Sequence, residues 1–396
     1  IGNLYSEKFT LTDFAPLTPE IPKEIPPLSF NISSRSDSTL SRNTITAESL
    51  DKNIALKTII AIEKPYDKER ITKIYLRHLN LTKDGISSLQ PFVKQNTTDI
   101  ANKTGNCYLN GEAELTAKGI DGNLRAETDN GNITTYIKYN YNGNYDITAE
   151  GDGISISNIA GIKEPLSCSL QTKAYGCLNK EKKSIRISGA ITDLESSRYA
   201  FSPIEFSGEY KNTTNSLTAN LKSEDPGLTA LMHLNYIYDN QHRVALSLNV
   251  DSLAPSKIGL HEKLEEIFSF KFDGEFTYKN KQESLLNAKL QNFTFSNANE
   301  RRTIRNLHFC DNRTEEQRLT MINSDIIDFS IIGKYDYESI INSLYKLAST
   351  HTPSLIANTN TTSNNNCNYI FKGDIKNSHF VSSLLKLPIT INMPSS

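Results

Sequence analysis

Apolar and polar residues alternate with a period of two along most of this chain. In Leu228–Tyr238 every second residue is apolar and falls on one face, and after the polar residues Asp239–His242 the alternation resumes in Val244–Val250. Alternation of this kind, interrupted by a short polar turn, is typical of an antiparallel hairpin. The two segments therefore predict a β-hairpin.

The same alternation recurs on both sides of that hairpin. Asn130-Gly131 and Asn142-Gly143 punctuate it, and Asn-Gly is a strong signal for a tight hairpin turn. Because each predicted strand has one apolar and one polar face, we expect an extended antiparallel sheet that is covered on one face only. The further predicted strands lie within Ala113–Ala126, Ile133–Tyr141, Tyr145–Ala149, Phe270–Tyr278, Leu286–Leu290 and Ile327–Ile331.

Helical spacing is confined to short stretches. It is clearest in Lys257–Phe268 and Tyr337–Ala348 and weaker in Gly85–Phe92 and Phe380–Leu387. We expect these stretches to cap a sheet, so the fold class predicted is all-β with minor α. The opening of the chain, rich in proline, predicts an extended connector, and Gly151-Asp152-Gly153 predicts a turn.

Composition favours an elongated molecule. Hydrophobic residues make up 37% of the 396 residues, which is little for a thick globular core. The formal net charge of -2 argues against nucleic acid as a partner. The chain starts at Ile1 without a signal sequence and has no long apolar run, so we expect a soluble piece of a longer protein whose anchor lies elsewhere.

Chemical motifs are scarce. The sequence has no HExxH, GxSxG, phosphate-binding loop or dinucleotide fingerprint. His308 precedes Cys310 by two positions, but a metal site would need ligands from elsewhere. We therefore predict no enzyme, no cofactor and no metal.

The five cysteines leave two interpretations open. Cys168 and Cys177 flank Ala174–Gly176, which predicts either a disulfide across a hairpin or two free thiols.

Three stretches resemble the TamB/AsmA-like family of envelope proteins, in the form found in Bacteroidetes. They are Leu109–Gly161, a glycine-rich series of strands; Ser223–Leu260, with an Asp-Pro-Gly turn before a strand pair; and Met321–Leu355, with Ser-Asp before Gly-Lys-Tyr-Asp. Pro27–Ser38 is similar to the opening of the family's repeat. The chain departs from the family in being rich in asparagine.

The resemblance implies an elongated antiparallel β-sheet curled into a U-shaped groove with an apolar interior. It further implies a non-catalytic protein of the periplasm that bridges the inner and outer membranes and supports phospholipid transport, outer-membrane protein assembly, or both. The implied partners are phospholipid acyl chains, an outer-membrane β-barrel assembly protein, and the inner membrane, reached through an anchor outside this chain.

The alternating apolar residues are the predicted lipid-groove residues. On this interpretation they bury lipid tails without directional contacts. The residues are Met232, Leu234, Tyr236, Val244, Leu246, Leu248, Phe270, Phe272, Phe276, Phe329 and Ile331.

The groove is predicted in three sections. These are residues 1–90, with the proline-rich lead-in, residues 91–260, and residues 261–396, with the short helices. Alternatives remain: a sheet closed on itself around a dry core, a β-sandwich surface protein that binds glycan or protein, a β-rich polysaccharide-cleaving enzyme, and a scaffold without cargo.

Overall fold

The computed structural model describes residues 1–9, 27–90, 96–179, 181–260, 264–297, 300–338, 340 and 368–377. The chain divides into two units, Ile1–Thr213 and Thr214–Ser396. The three sections predicted from the sequence are a different division and stay a prediction.

The first unit is an antiparallel sheet in which each strand pairs with the strand before it and the strand after it. Its strands are Gly2–Phe9 (β1), Leu28–Ser36 (β2), Leu40–Ser49 (β3), Ile54–Glu63 (β4), Ile71–Leu81 (β5), Cys107–Leu115 (β6), Gly119–Thr128 (β7), Gly131–Asn140 (β8), Asn144–Ser155 (β9), Leu166–Cys177 (β10), Ser184–Ser196 (β11) and Ile204–Lys211 (β12).

The second unit follows the same rule of pairing in chain order. Its strands are Ser216–Asp225 (β13), Leu228–Tyr238 (β14), His242–Leu253 (β15), Ile267–Asn280 (β16), Glu283–Ser296 (β17), Arg301–Arg313 (β18), Arg318–Ser324 (β19), Ile327–Lys334 (β20) and Asn368–Ile375 (β21). In neither unit do the described residues pair the first strand with the last, so each sheet is open. The predicted all-β antiparallel fold is confirmed.

The described residues of the first unit form three short helices: Lys83–Ser88 (α1), Thr97–Thr104 (α2) and Ile156–Ala160 (α3). α1 and α2 follow β5, and α3 follows β9. Because both strands run in the same direction, the three helices lie at the same end of the strands. Asn130, in the turn between β7 and β8, joins two of them. Its Nδ2 donates to the Lys103 carbonyl (2.6 Å), and its Oδ1 accepts from Asn158 (2.7 Å).

The predicted hairpin turns are confirmed. The chain reverses at Asp129-Asn130, at Tyr141–Gly143 and at Asp239–Gln241, each time between two paired strands. Asn240 has a φ of 68° and Gly143 a φ of 98°, a backbone region that asparagine and glycine adopt most readily.

Two predicted elements are wrong. The helix expected at Lys257–Phe268 is a series of turns at residues 255–259, and Phe268 already belongs to β16. Of the apolar residues in the predicted helix, Ile258 is buried in these turns, whereas Leu260 is 71% exposed; residues 261–263 lie outside the described residues. Gly151-Asp152-Gly153 is part of β9 and forms a bulge there, opposite the register shift between Cys168 and Leu170.

The structure describes the remaining predicted helices only in part. The weak one at Gly85–Phe92 corresponds in part to α1. Of Tyr337–Ala348 only Tyr337, Glu338 and Ile340 are described, and they are helical. The helix predicted at Phe380–Leu387 and most of the proline-rich opening lie outside the described residues.

A disulfide between Cys168 and Cys177 is excluded by the fold. Both residues belong to β10, and nine positions along a strand separate them by about 30 Å. Disulfides need Cα atoms within about 7 Å. Four cysteines are free thiols: Cys107, Cys168, Cys177 and Cys310; Cys367 lies outside the described residues.

Candidate functional site

The predicted lipid-groove residues of β14 and β15 lie opposite one another. Met232 pairs with Leu248, Leu234 with Leu246 and Tyr236 with Val244. Residues directly opposite in an antiparallel pair have their side chains on the same face of the sheet. These pairs therefore form one continuous apolar patch on the second unit.

The predicted phenylalanines extend that patch. Phe272 lies opposite Leu248, Phe276 opposite Val244, and Phe270 opposite Val250. Phe329 and Ile331 join the same face farther along the sheet, because they pair with Ile322 and Thr320 of β19. All eleven predicted residues thus share one face of β13–β21, which we call the second apolar face.

A complete row on the second apolar face crosses all nine strands of the unit. It contains both small and large apolar residues, and the rings of Phe309 and Phe329 lie beside Ala288 and Gly373. In strand order the row is Ala219, Leu234, Leu246, Gly274, Ala288, Phe309, Ile322, Phe329 and Gly373.

The described residues leave the second apolar face partly open. Ile331 is buried, with 4% of its surface exposed, but Phe276 retains 38% and Phe371, opposite Ile331, retains 60%. The other nine predicted residues are half-buried. Ala230, Val250 and Ile304 on the same face are buried as well, so the face is open only in part.

One aromatic cluster on this face, around Phe293, was not predicted from the sequence. Asn292 adopts a φ of 51° and, together with Phe293, faces the single residue Phe270 across a bulge between β16 and β17. The bulge places Phe293 on the second apolar face, where its ring centroid lies 5.9 Å from Phe270 and 6.0 Å from Phe268. The alternation of Phe293 and Phe295 in the sequence could have indicated this cluster.

The first unit has an apolar face of the same kind. One row crosses nine strands, and near its middle Gly111, Ala113 and Gly122 leave a depression of about 220 Å³, walled by Ile74, Leu124 and other aliphatic side chains. The row is Ile60, Ile74, Ala113, Gly122, Ile137, Ile147, Ala174, Ile187 and Gly208.

A buried ion pair interrupts the second apolar face. Arg318 donates to Asp311 twice, Nε to Oδ1 at 2.8 Å and Nη2 to Oδ2 at 2.5 Å, and Thr320 Oγ1 donates to Oδ1 at 2.8 Å. The Arg318 guanidinium lies 4.0 Å from the centroid of the Tyr337 ring. Burial alone would raise the pKa of Asp311, but these hydrogen bonds outweigh it and hold the pKa below its ordinary value.

The second apolar face is bounded, at one end of its strands, by a row of aromatic and polar side chains. His242 lies with its ring centroid 4.8 Å from that of Tyr238 and 6.1 Å from that of Tyr278, and its Nδ1 is 2.9 Å from the Tyr236 hydroxyl. Ser284, Arg313 and Arg318 continue the same row on β17, β18 and β19. We call Tyr238, His242, Tyr278, Ser284, Arg313 and Arg318 the polar rim.

The opposite face of each sheet carries cross-strand polar pairs. In the first unit Lys73 lies 2.8 Å from Glu63, and in the second unit Ser247 donates to Asp273 at 2.7 Å. His308, considered for a metal site, lies on this face, 2.5 Å from Asn287. Such pairs are solvated and contribute little stability singly.

Among the residues that the structure describes, no group of three or more His, Cys, Asp and Glu side chains is placed to hold a metal ion. No helix in that part of the chain is long and apolar enough to cross a membrane.

Comparison with known proteins gives no relative: no family model, no curated protein and no solved structure matches this chain.

Proposed function

We propose that the two apolar faces hold phospholipid acyl chains, and that the chain is a non-catalytic protein acting between the inner and outer membranes of a bacterial envelope. The observation that carries the proposal is the second apolar face, which crosses nine strands and stays partly exposed in the described residues. Contiguous exposed apolar surface of this extent is typical of binding surfaces.

The chemistry of the second apolar face suits lipid tails. A tail gains about 0.8 kcal/mol for each methylene that it buries, and this gain needs no directional partner. Leucine, phenylalanine and valine side chains supply contact on several strands of this face, and such contacts do not depend on the length or the saturation of the chain. A lipid tail can move along such a surface without breaking a hydrogen bond.

The envelope setting and the partners come from the resemblance to TamB/AsmA-like proteins. On that basis we propose phospholipid transport, support of outer-membrane protein assembly, or both, with a β-barrel assembly protein as partner in the outer membrane.

The first experiment is native mass spectrometry of the purified chain, with extraction of bound lipid. We expect co-purified phospholipid. In the variant Leu234→Asp plus Leu248→Asp, we expect at least a tenfold loss of bound lipid, because two charges would have to be desolvated against the tails.

The control variant is Asn235→Asp plus Asn249→Asp, which adds the same charges one residue away on the same two strands but on the opposite face. It should keep its lipid. Thermal unfolding of both variants checks that the sheet is intact, and a photoreactive acyl chain should label peptides of β14–β17 in the wild type. Lipid-free wild type that also resists labelling would contradict the proposal.

A further inference from the structure

Three arginines occupy positions on the second apolar face. Arg302 lies opposite Phe295 and pairs with Glu300 at 2.8 Å. Arg318 pairs with Asp311. Arg313 is exposed and its guanidinium makes no ion pair among the described residues, although it shares the face with these paired arginines.

The position of Arg313 brings two guanidinium groups together. Arg313 lies directly opposite Arg318 on one side and Ser284 on the other. Side chains directly opposite in an antiparallel pair have Cβ atoms about 5 Å apart, and like charges there repel. Among the described residues, Asp311 is the one carboxylate that forms an ion pair with either guanidinium, so Arg313 has no ion-pair partner there.

The nearby turn supplies no ion-pair partner to Arg313 among the described residues. Glu315 and Glu316 lie in the turn between β18 and β19, and neither forms an ion pair with Arg313. Glu315 instead acts on Lys279, whose pKa is raised mainly by its hydrogen bond to Glu283. The guanidinium of Arg313, without an ion-pair partner in the described part of the chain, therefore lies at the polar rim, beside apolar surface.

The spacing of the rim suits an amphipathic ligand. Tyr278 and Ser284 lie two positions from Phe276 and Leu286 along the same strands, which corresponds to about 7 Å. Tyrosine and histidine rings at the rim present an apolar body and a polar tip, as side chains do at the boundary between lipid tails and water. An anion held at Arg313 would have its apolar part on the second apolar face.

We propose that Arg313, with Arg318 and Ser284, binds the phosphate of a phospholipid whose acyl chains lie on the second apolar face. The inference rests on the proposed function and adds the headgroup chemistry to it. Two guanidinium groups and a hydroxyl offer donors in several directions, which match the several oxygens of a phosphate.

The test compares two lipids that share their acyl chains. Dioleoyl phosphatidylglycerol and dioleoylglycerol are added separately to the delipidated full chain, and retention is measured by native mass spectrometry. We expect retention of the phospholipid to exceed that of the diacylglycerol by about tenfold, the scale of a charge-assisted hydrogen bond, and the variant Arg313→Gln to lose this preference.

The matched control is Arg301→Gln. Arg301 begins the same strand, is exposed, and makes no ion pair within the described residues; this variant should keep the preference. Glycerol 3-phosphate at the same concentration should not displace the phospholipid, and displacement would overturn the assignment to a lipid.

The outcomes separate the two proposals. Equal retention of both lipids by the wild type, or an unchanged preference in Arg313→Gln, overturns the phosphate site alone. Retention of neither lipid overturns the proposed function together with it.

Discussion

Arg318 holds Asp311 through two parallel hydrogen bonds on a sheet face that is otherwise largely apolar. Their side chains are 15% and 11% exposed. Removal of one partner from a buried pair leaves an uncompensated charge, which destabilises a protein by roughly 3–5 kcal/mol. We therefore expect Asp311→Asn to lower the free energy of unfolding by about 3 kcal/mol at pH 7.

The effect of Asp311→Asn should depend on pH. The pKa of Asp311 is held below 3.8, its ordinary value, so the carboxylate contributes stability that is fully present above that value and is lost as the pH falls through the lower, folded-state pKa. The difference between wild type and variant should thus be constant down to about pH 4 and shrink below it. Urea unfolding followed by tyrosine fluorescence measures it.

Asp328→Asn is the control for this prediction. Asp328 pairs with Lys376 at 2.7 Å, but both side chains are about 40% exposed, so its loss should cost at most about 1 kcal/mol. If both variants lost the same free energy of unfolding, burial would not explain why the Asp311–Arg318 pair matters.

Asn292 is expected to tolerate only residues that accept a positive φ. Asn292→Gly should leave the free energy of unfolding within about 0.5 kcal/mol of the wild type, whereas Asn292→Val should lower it by more than about 1 kcal/mol, because a β-branched residue is strained at φ 51°. Thermal and urea unfolding of both variants test this. A well-tolerated valine would show that the bulge can move.

Ser49 is expected to stabilise the turn between β3 and β4. It is 1% exposed, donates to Asp51 Oδ1 at 2.5 Å and accepts from the Ile54 N–H at 2.9 Å. Ser49→Ala leaves that half-buried N–H without its acceptor and should cost about 1–2 kcal/mol. The exposed Ser36, in the adjacent strand, provides the control: Ser36→Ala should change stability by less than about 0.5 kcal/mol.

Cys168 and Cys177 should both be free thiols in the purified protein. Alkylation in denaturant without reductant, followed by peptide mass analysis, should find both modified. In the native state Cys168 should react slowly, since it is 7% exposed and burial raises its pKa. A peptide pair joined through these two residues would contradict the strand assignment of β10.

The alternation of apolar residues was sufficient to predict the face that each strand presents. Leu234 and Leu246 were placed on one face from the sequence, and the register places them opposite each other, because the period of two and the turn at Asp239–Gln241 together fix the pairing. That the eleven residues bind lipid stays a prediction.

Other features could not be predicted from local pattern. The bulge at Asn292 depends on how β16 and β17 meet, since an unpaired residue is visible only when both strands are aligned. Apolar residues at helical spacing, such as Ile258 and Leu264, also occur in turns and irregular segments, and the surrounding structure decides between these outcomes. Arg313 and Arg318 are five positions apart in the sequence, so only the hairpin between them shows that they lie face to face.

The pairing of strands in chain order has a mechanical consequence. Among the described residues of each unit a strand pairs only with its immediate neighbours in sequence, so stability is close to a sum of nearest-neighbour terms, as in repeat proteins. Because these contacts span few residues, each hairpin can add to the sheet as the chain emerges from synthesis. Under tension a unit of this kind should yield strand by strand from an end, giving a saw-tooth of small force peaks.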